Sequence, residues 1–258
     1  MLWESVDPAE ALATRFGFGD CASAVGWLTD ALGDCWSIPV ERCDRLVISA
    51  SNLLAWITSG EKSLIVKWSV APWLFSHLAD VAALTEWLRG QGIPVAAPVP
   101  ATDGRLRVER NSVSLGVSPV IIGDLLDVGD FGQVAEAARM LATLHQALAS
   151  YPHAVDGDRP APPDQLVHND FRAANILHDG QRITAVLDFE DVAYRTRVAD
   201  LAKATVLLGT RYHDWGPTSP EVRRAFLAAY CDLIPLTRAE QAELERGISA
   251  VLNHFGWT

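Results

Sequence analysis

The 258-residue sequence lacks the patterns typical of structural zinc sites, signal peptides and membrane-spanning segments. It contains four cysteines, Cys21, Cys35, Cys43 and Cys231, and no Cys-x-x-Cys pair, which argues against a structural zinc site. We expect reduced thiols that are mostly buried. No apolar run approaches the ~18 residues that cross a bilayer, and the acidic N-terminus does not resemble a signal peptide. These absences predict a cytoplasmic protein with no membrane partner.

Basic residues are also scarce. The 21 Lys and Arg residues stand against 32 Asp and Glu residues, so the formal net charge is −11. A surface of this sign repels polyanions, which argues against a nucleic-acid partner. It attracts cationic ligands, although solubility alone also accounts for it. The hydrophobic content of 49% excludes an intrinsically disordered chain.

Hydrophobic periodicity and turn residues divide the chain into a β-rich front part and a helical back part. Residues 1–122 are predicted to form one domain, and residues 123–258 the other. The front part is expected to contain helices and strands at residues 8–16, 22–32, 45–50, 53–58, 63–68, 73–89, 105–109 and 113–122. The back part is expected to contain four helices and one strand, at residues 134–150, 183–188, 198–208, 220–231 and 238–253.

Polar side chains between apolar, strand-like segments form the most informative pattern. Asp170 is followed five residues later by Asn175, and Asp188 ends the next apolar run. The side-chain oxygens of Asn175 and Asp188, with substrate phosphates and water, would make a typical Mg²⁺ site. Asp170 would then be available to orient a hydroxyl and accept its proton. Upstream, Lys67 ends an apolar strand, where a lysine is costly unless anions such as phosphates pair with it.

This set of residues resembles the aminoglycoside phosphotransferase family, the small-molecule branch of the protein-kinase-like fold. Its signature, His-x-Asp-x-x-x-x-Asn followed by an Asp on a strand, is matched by His168, Asp170, Asn175 and Asp188. The resemblance implies that Asp170 is the catalytic base and that Asn175 and Asp188 hold Mg²⁺. It also implies that Lys67 contacts the phosphates of ATP, with GTP left open as the nucleotide.

Further segments resemble other parts of the family. Residues 141–145 are similar to its Leu-x-x-Leu-His helix end, and residues 119–127 to the hinge that binds adenine. The resemblance implies that Val120 and Ile122 contact the nucleotide and that His145, His168 and Asp200 are structural. The implied fold class is α+β: a bilobal protein-kinase-like fold with a small antiparallel sheet in the N-lobe and a mostly helical C-lobe.

Two departures from the family pattern concern the nucleotide site. The turn between the first two strands, where Ser51 and Asn52 are expected to contact the nucleotide, contains no glycine. The helix glutamate that pairs with the strand lysine in protein kinases falls near Val81. Asp80 and Glu86 are the two acids of this helix that are candidates to pair with Lys67 instead.

The acceptor is not identified by the sequence. Five charged residues near the expected site are candidates for binding it: Asp124, Asp127, Glu190, Asp191 and Arg172. The acids favour a cationic small molecule, and Trp215 and Trp257 are placed where a substrate pocket is expected. We predict phosphorylation of an aminoglycoside or another cationic antibiotic, which confers resistance. The alternatives are a metabolic acceptor such as homoserine, an amino alcohol or a sugar, and a non-catalytic nucleotide-binding protein. The oligomeric state is not predicted.

Other enzyme classes find no support in the sequence. Residues 59–63 lack the Gly-Lys-Ser/Thr core of a P-loop, and no Gly-x-Ser-x-Gly elbow is present for a hydrolase. A protein kinase is disfavoured because Asn169 and Arg172 replace its usual arginine and lysine.

Overall fold

The computed structural model describes residues 6–157 and 160–257 and divides them into two compact units. The first unit contains the described residues up to Glu86 together with Ala96–Val120. The second contains Trp87–Val95 and the described residues from Ile121 onward.

The first unit is built around a five-stranded antiparallel sheet of strand order β1-β2-β3-β5-β4. Two helices precede the sheet, and a long helix, introduced by a 3-10 turn at Pro72–Leu74, follows its third strand. In chain order the elements are α1 (Pro8–Phe16), α2 (Cys21–Trp36), β1 (Arg42–Ile48), β2 (Asn52–Ser59), β3 (Lys62–Ser69), α3 (Phe75–Gly90), β4 (Val108–Arg110) and β5 (Val113–Pro119).

Alternating side chains give this sheet two different faces. On β3, Leu64, Val66 and Trp68 are buried, whereas Lys67 between them lies on the opposite face. The buried face packs against apolar residues of α1 and α2, including Leu12 of α1. Burying this surface stabilises the unit by about 25 cal/mol for each Å² removed from water. The period-2 pattern thus fixes which face of the sheet carries the lysine.

The second unit is mainly helical and holds two small antiparallel sheets, β6-β8-β9 and β7-β10. Its elements are β6 (Asp124–Leu125), α4 (Phe131–Ser150), β7 (Gln165–Val167), β8 (Ile176–His178), β9 (Ile183–Val186), β10 (Ala193–Arg195), α5 (Arg197–Leu207), α6 (Pro220–Leu233) and α7 (Arg238–Phe255).

Close helix packing shapes the second unit. Helix α4 packs against α6, and α5 packs against α7. A Cβ atom built on Gly247 of α7 lies only 2.8 Å from the Cβ of Ala202 on α5. Glycine therefore permits the close approach of these two helices, whose residues Leu207 and Val251 line the same cavity.

Several predicted boundaries differ from the structure for local reasons. The strand predicted at 183–188 ends at Val186, because Asp188 has a left-handed backbone (φ 59°) that a strand does not accommodate. The strand predicted at 113–122 ends at Pro119. The strand predicted at 105–109 begins only at Val108, because Asp103 binds the backbone N–H of Arg105 and holds a turn there.

The cysteines differ from expectation in one respect. All four are free thiols, but Cys21 is exposed and the other three are half-buried, so the prediction of mostly buried thiols is wrong. Cys21 opens α2 at the protein surface rather than facing the apolar side of that helix. Separately, within the described residues, no helix is both long and apolar enough to cross a membrane.

Candidate active site

The segment that contains Asp170 connects two short strands of the second unit. It leaves β7, turns through a 3-10 helix at Ala173–Asn175 and enters β8. The apolar side chain of Phe171 is buried and anchors the loop. Asn169 has a left-handed backbone (φ 62°), which asparagine tolerates better than most residues. This turn leads directly into the polar residues Asp170, Arg172 and Asn175, which are largely buried.

His168 braces the loop through both ring nitrogens and is fully buried. Its Nε2 lies 2.9 Å from the carbonyl oxygen of Leu187, and its Nδ1 lies 3.2 Å from the backbone nitrogen of Asp170. A carbonyl only accepts a hydrogen bond, and a backbone N–H only donates one. The ring therefore carries its proton on Nε2 and accepts at Nδ1. With both nitrogens engaged, His168 holds the backbone of Asp170.

The Asp170 carboxylate is held by two neighbours from its own loop. Arg172 Nε lies 2.9 Å from Oδ1 and 3.0 Å from Oδ2, and Asn175 Nδ2 donates to Oδ2 at 2.7 Å. Asn175 Nδ2 also lies 2.9 Å from the Asp170 carbonyl oxygen. Charge-assisted contacts of this kind fix the orientation of the carboxylate. The Asp170 carboxylate is thereby held in one orientation.

The segment that contains Asp188 is hydrogen-bonded to the loop that contains Asp170 and Asn175. The backbone N–H of Leu187 donates to the Asn175 carbonyl at 2.8 Å, so Asp188 follows directly on a residue bonded to Asn175. Because Asn175 uses its Nδ2 on Asp170, its Oδ1 is the atom left to act as a metal ligand.

These two side chains fit a Mg²⁺ ion that also binds phosphates. Asn175 supplies an amide oxygen and Asp188 a carboxylate that is exposed to solvent. Mg²⁺ prefers such hard oxygen ligands and commonly takes only one or two from the protein. In the described part of the chain, no group of three or more His, Cys, Asp or Glu side chains forms a metal cage of its own. The amide and carboxylate oxygens of Asn175 and Asp188 fit a Mg²⁺ ion whose other ligands are substrate phosphates and water.

A buried network links three helices to the loop. His145 of α4 lies 3.0 Å from Asp200 Oδ2 through its Nε2 and 2.8 Å from the Tyr230 hydroxyl through its Nδ1. The other carboxylate oxygen of Asp200 accepts the backbone N–H of Asn169 at 2.9 Å. Burial raises the pKa of Tyr230, which keeps its hydroxyl protonated. Although Asp200 lies in the first turn of α5, Thr196 caps that helix, so Asp200 is free to hold the loop.

Tyr230 was not among the candidate residues predicted from the sequence. It lies on α6, and no spacing rule connects this helix with the Leu-His end of α4. Its only signal was its position among buried apolar residues of α6, which predicts a core residue but no partner.

A cavity of about 530 Å³ lies beside Asp170 in the second unit. Its wall combines charged and apolar side chains from the Asp170 loop, the turn after Asp188, α5, the connection between α5 and α6, and α7. These residues are Asp170, Arg172, Asp191, Lys203, Leu207, Trp215, Ala250, Val251, His254 and Phe255. Trp215 packs against Phe255 at a ring distance of 5.7 Å, and Phe255 stacks on Trp257 at 4.6 Å. A cavity of this size accommodates a small molecule.

The predicted acceptor-binding residues divide into two groups. Arg172 and Asp191 line the cavity. Asp124, Asp127 and Glu190 are absent from its described lining. Asp124 pairs with His178 in a small sheet, and Asp127 closes a turn by accepting the Gly129 N–H at 2.8 Å. Glu190 is half-buried in the 3-10 turn after Asp188.

Partial desolvation raises the pKa of Asp191, and the carboxylates of Asp170 and Asp188 raise it further. Because this acid binds its proton more tightly in the folded state, its contribution favours folding at acidic pH and is lost as pH rises. We expect Asp191→Asn to raise the melting temperature by about 1–2 °C at pH 7. The gain should shrink toward zero as pH falls toward 3.8, the unperturbed value.

Thermal denaturation at several pH values measures this effect. Asp232→Asn, at an exposed position on α6, is the matched control and should show no such trend. A gain for Asp191→Asn that is independent of pH would contradict the electrostatic explanation.

The predicted nucleotide-contacting residues of the first unit lie on its sheet. Lys67 is half-buried on β3, with Leu54 and Gly116 as its neighbours on the adjacent strands. A Cβ on Gly116 would lie 2.7 Å from Nη1 of Arg107, so glycine makes room for a second cation on the Lys67 face. Arg107 was not among the residues predicted from the sequence, because only the sheet register brings it beside Gly116.

The remaining predicted contacts lie at the ends of the sheet strands. Ser51 and Asn52 form the turn into β2, and the Ser51 carbonyl accepts the Val70 N–H at 3.1 Å. The Val120 N–H donates to the Ser63 carbonyl at 2.9 Å. In the second unit, Ile122 has an exposed side chain.

Comparison with known proteins identifies the relatives of this chain. Residues 153–244, which include the loop of Asp170 and the segment of Asp188, match the profile of the phosphotransferase enzyme family. The predicted resemblance to the aminoglycoside phosphotransferases is confirmed. The chain is also 34% identical over 113 residues to homoserine kinases of Pseudomonas aeruginosa. That match covers 42% of this chain, which spans about a third (33%) of the length of these curated relatives.

Solved structures of aminoglycoside phosphotransferases and related kinases share the fold. A microcompartment-associated aminopropanol kinase is 19% identical with a TM-score of 0.68, covering 90% of this chain and 88% of that one. A spectinomycin phosphotransferase in complex with ADP and spectinomycin is 13% identical with a TM-score of 0.58, covering 87% and 93%. A macrolide 2'-phosphotransferase from Brachybacterium faecium is 16% identical with a TM-score of 0.60, covering 88% and 93%. The predicted α+β protein-kinase-like fold is therefore confirmed.

Proposed function

We propose that this protein transfers the γ-phosphoryl group of ATP, with Mg²⁺, to a hydroxyl group of a small molecule. The observation that carries the proposal is the Asp170 carboxylate, held by Arg172 and Asn175 on the wall of a cavity of about 530 Å³. A carboxylate fixed beside a small-molecule cavity suits the orientation of an acceptor hydroxyl.

Each residue of the site has a distinct task in this reaction. Asp170 orients the acceptor hydroxyl and takes its proton as the oxygen attacks the γ-phosphorus. Asn175 and Asp188 hold Mg²⁺, which neutralises charge on the phosphates when it is bound. Lys67 binds the phosphates from the first unit. His168 and Asp200 keep the loop in place through the backbone of residues 169 and 170.

The charge of the cavity favours a metabolic acceptor over a polycationic antibiotic. Beside Asp170 and Asp191, its wall contains the cations Arg172 and Lys203. A polycation gains little electrostatic binding energy from a cavity wall that carries both positive and negative side chains. The partial match to homoserine kinases supports a small metabolite. The structural likeness to a spectinomycin phosphotransferase supports the antibiotic alternative.

Formation of ADP by the purified protein tests the proposed reaction. Mg-ATP is supplied with homoserine, 1-aminopropan-2-ol, kanamycin, spectinomycin or a macrolide, and phosphorus NMR detects the phosphate ester. We expect ADP to form in proportion to the ester of one acceptor. A protein that binds Mg-ATP but phosphorylates no member of a broad panel of alcohols would support the non-catalytic alternative.

Replacement of Lys67 tests the role of the first unit. We expect Lys67→Met to lower kcat/KM for ATP by about 100-fold, which corresponds to the loss of one strong charge-assisted hydrogen bond to phosphate. Lys62→Met is the matched control, because Lys62 is exposed at the start of the same strand. Equal effects of both substitutions would show that general electrostatic attraction, rather than a specific contact, is responsible. Initial rates at varied ATP concentration make the measurement.

A further inference from the structure

Of the three guanidinium nitrogens of Arg172, only Nε is hydrogen-bonded within the described residues. Its Nε lies 2.9 Å from Asp170 Oδ1, but within the described residues neither terminal nitrogen has a hydrogen-bond partner. Nη1 is moreover buried from solvent. A buried N–H donor of a cation that lacks a partner is costly, so Nη1 has an unmet requirement for an acceptor.

The position of the Arg172 guanidinium is nevertheless well defined. Its central carbon lies 5.1 Å from the ring centre of Trp215, at the distance of a cation–π contact. The side chain is only 13% exposed, as is that of Asp170. Arg172 is thus held between the Asp170 carboxylate and an aromatic wall of the cavity, with its terminal nitrogens free of protein acceptors.

Lys203 supplies a second cation to the same cavity. It lies on α5, and its Nζ donates to the backbone carbonyl of Asn169. A backbone carbonyl does not neutralise the ammonium charge. Lys203 is also close enough to Asp191 to lower the pKa of that acid. The wall therefore presents two cations beside the base and one further carboxylate, a pattern complementary to a zwitterion.

We propose that the acceptor is a hydroxylated amino acid, whose carboxylate binds Arg172 and Lys203 and whose ammonium group binds Asp191. The proposal deepens the proposed function and rests on it. The fork of the guanidinium matches the two oxygens of a carboxylate. Because the same guanidinium holds Asp170, Arg172 connects recognition of the acceptor directly with the base.

The consequence is discrimination against acceptors without a carboxylate. An amino alcohol leaves the terminal nitrogens of Arg172 without an anionic partner. A polyamine places further cations against Arg172 and Lys203, which costs electrostatic energy in a partly desolvated cavity.

Calorimetric binding with matched pairs of probes tests this inference without turnover. The probes are L-homoserine, L-serine and L-threonine, each paired with the amino alcohol in which the carboxylate is reduced to CH₂OH, and kanamycin. We expect at least one amino acid to bind at least ~10-fold more tightly than its amino alcohol, since one charge-assisted hydrogen bond accounts for that ratio. Arg172→Gln should abolish the preference, and Lys203→Gln should reduce it.

Three controls separate recognition from folding and from catalysis. Arg182→Gln, whose side chain is 80% exposed on a turn, should keep the preference. Melting temperatures show whether Arg172→Gln folds, and Arg172→Lys, which keeps the charge but loses the fork, should retain part of the preference. Phosphoryl transfer is measured separately with the same probes.

Several outcomes would overturn the inference. These are equal or tighter binding of every amino alcohol, a preference that survives in Arg172→Gln, and binding of kanamycin alone or of no amino acid. Transfer to kanamycin or to an amino alcohol as efficient as transfer to every amino acid would leave the phosphotransferase function standing and contradict carboxylate recognition. Preferential binding of an amino acid without any transfer would support the binding site and contradict the proposed reaction.

Discussion

Asp170→Ala is expected to reduce phosphoryl transfer to the acceptor by about 100-fold or more. The substitution removes the carboxylate to which we assign orientation of the hydroxyl and acceptance of its proton, and such a group contributes roughly 10²–10⁴ in rate. The effect should fall on kcat, because Lys67, Asn175 and Asp188, to which nucleotide and metal binding is assigned, are unchanged. Steady-state rates with Mg-ATP and the acceptor identified by the panel make the measurement.

The control for this experiment is Asp232→Asn, which changes an exposed acid on α6. It should retain the rate of the unmodified protein. The melting temperature of Asp170→Ala must also be compared, because the substitution takes the ion-pair partner from Arg172. A folded Asp170→Ala protein with an undiminished rate would refute the assignment of the base.

Asp200→Ala is expected to lower the free energy of unfolding by about 3–5 kcal/mol, because two buried hydrogen-bond donors lose their acceptor at a cost of about 1–3 kcal/mol each. The side chains of Asp200 and His145 are each only 1% exposed. Alanine leaves His145 Nε2 and the backbone N–H of Asn169 buried without an acceptor. Urea denaturation followed by circular dichroism measures the change.

Glu245→Ala is the comparison, because it removes an exposed acid from α7 and should change the free energy of unfolding by less than about 0.5 kcal/mol. Phosphoryl transfer supplies a second measurement on Asp200→Ala. Because Asp200 binds the backbone of the residue before Asp170, the folded variant should also lose activity. Similar stabilities of Asp200→Ala and Glu245→Ala would show that the network does not stabilise the fold.

Local sequence signals predicted the secondary structure well where they were strong. Helix α1 begins and ends at the predicted residues, Pro8 and Phe16, because Asp7 caps its start and Gly17 its end. Strands β2 and β3 lie within one residue of their predicted bounds at either end, because each is an apolar, β-rich run bounded by turn residues. The end of β9 was missed, since no residue type announces the left-handed backbone of Asp188.

In the candidate site too, short sequence spacings predicted some features, and others depended on the tertiary structure. The spacing of Asp170, Asn175 and Asp188 is a property of one continuous segment with local turns, so it can be read from the chain. The predicted acids Asp124 and Asp127 are close in sequence to the expected hinge, but small sheets and turns engage them elsewhere. Sequence distance does not indicate which of several surface acids face a cavity.

The sequence by itself determined the family resemblance and the protein-kinase-like fold, and it contains the motif to which we assign phosphoryl transfer. These depend on residue types at short, fixed spacings. Only the tertiary structure brought Lys203 of α5 and Val251 of α7 together with the Asp170 loop, and only it showed that Arg172 rests on Trp215 with unused donors. The physical reason is that the cavity beside Asp170 is formed by helix packing between distant segments, and packing depends on shapes that no local pattern specifies.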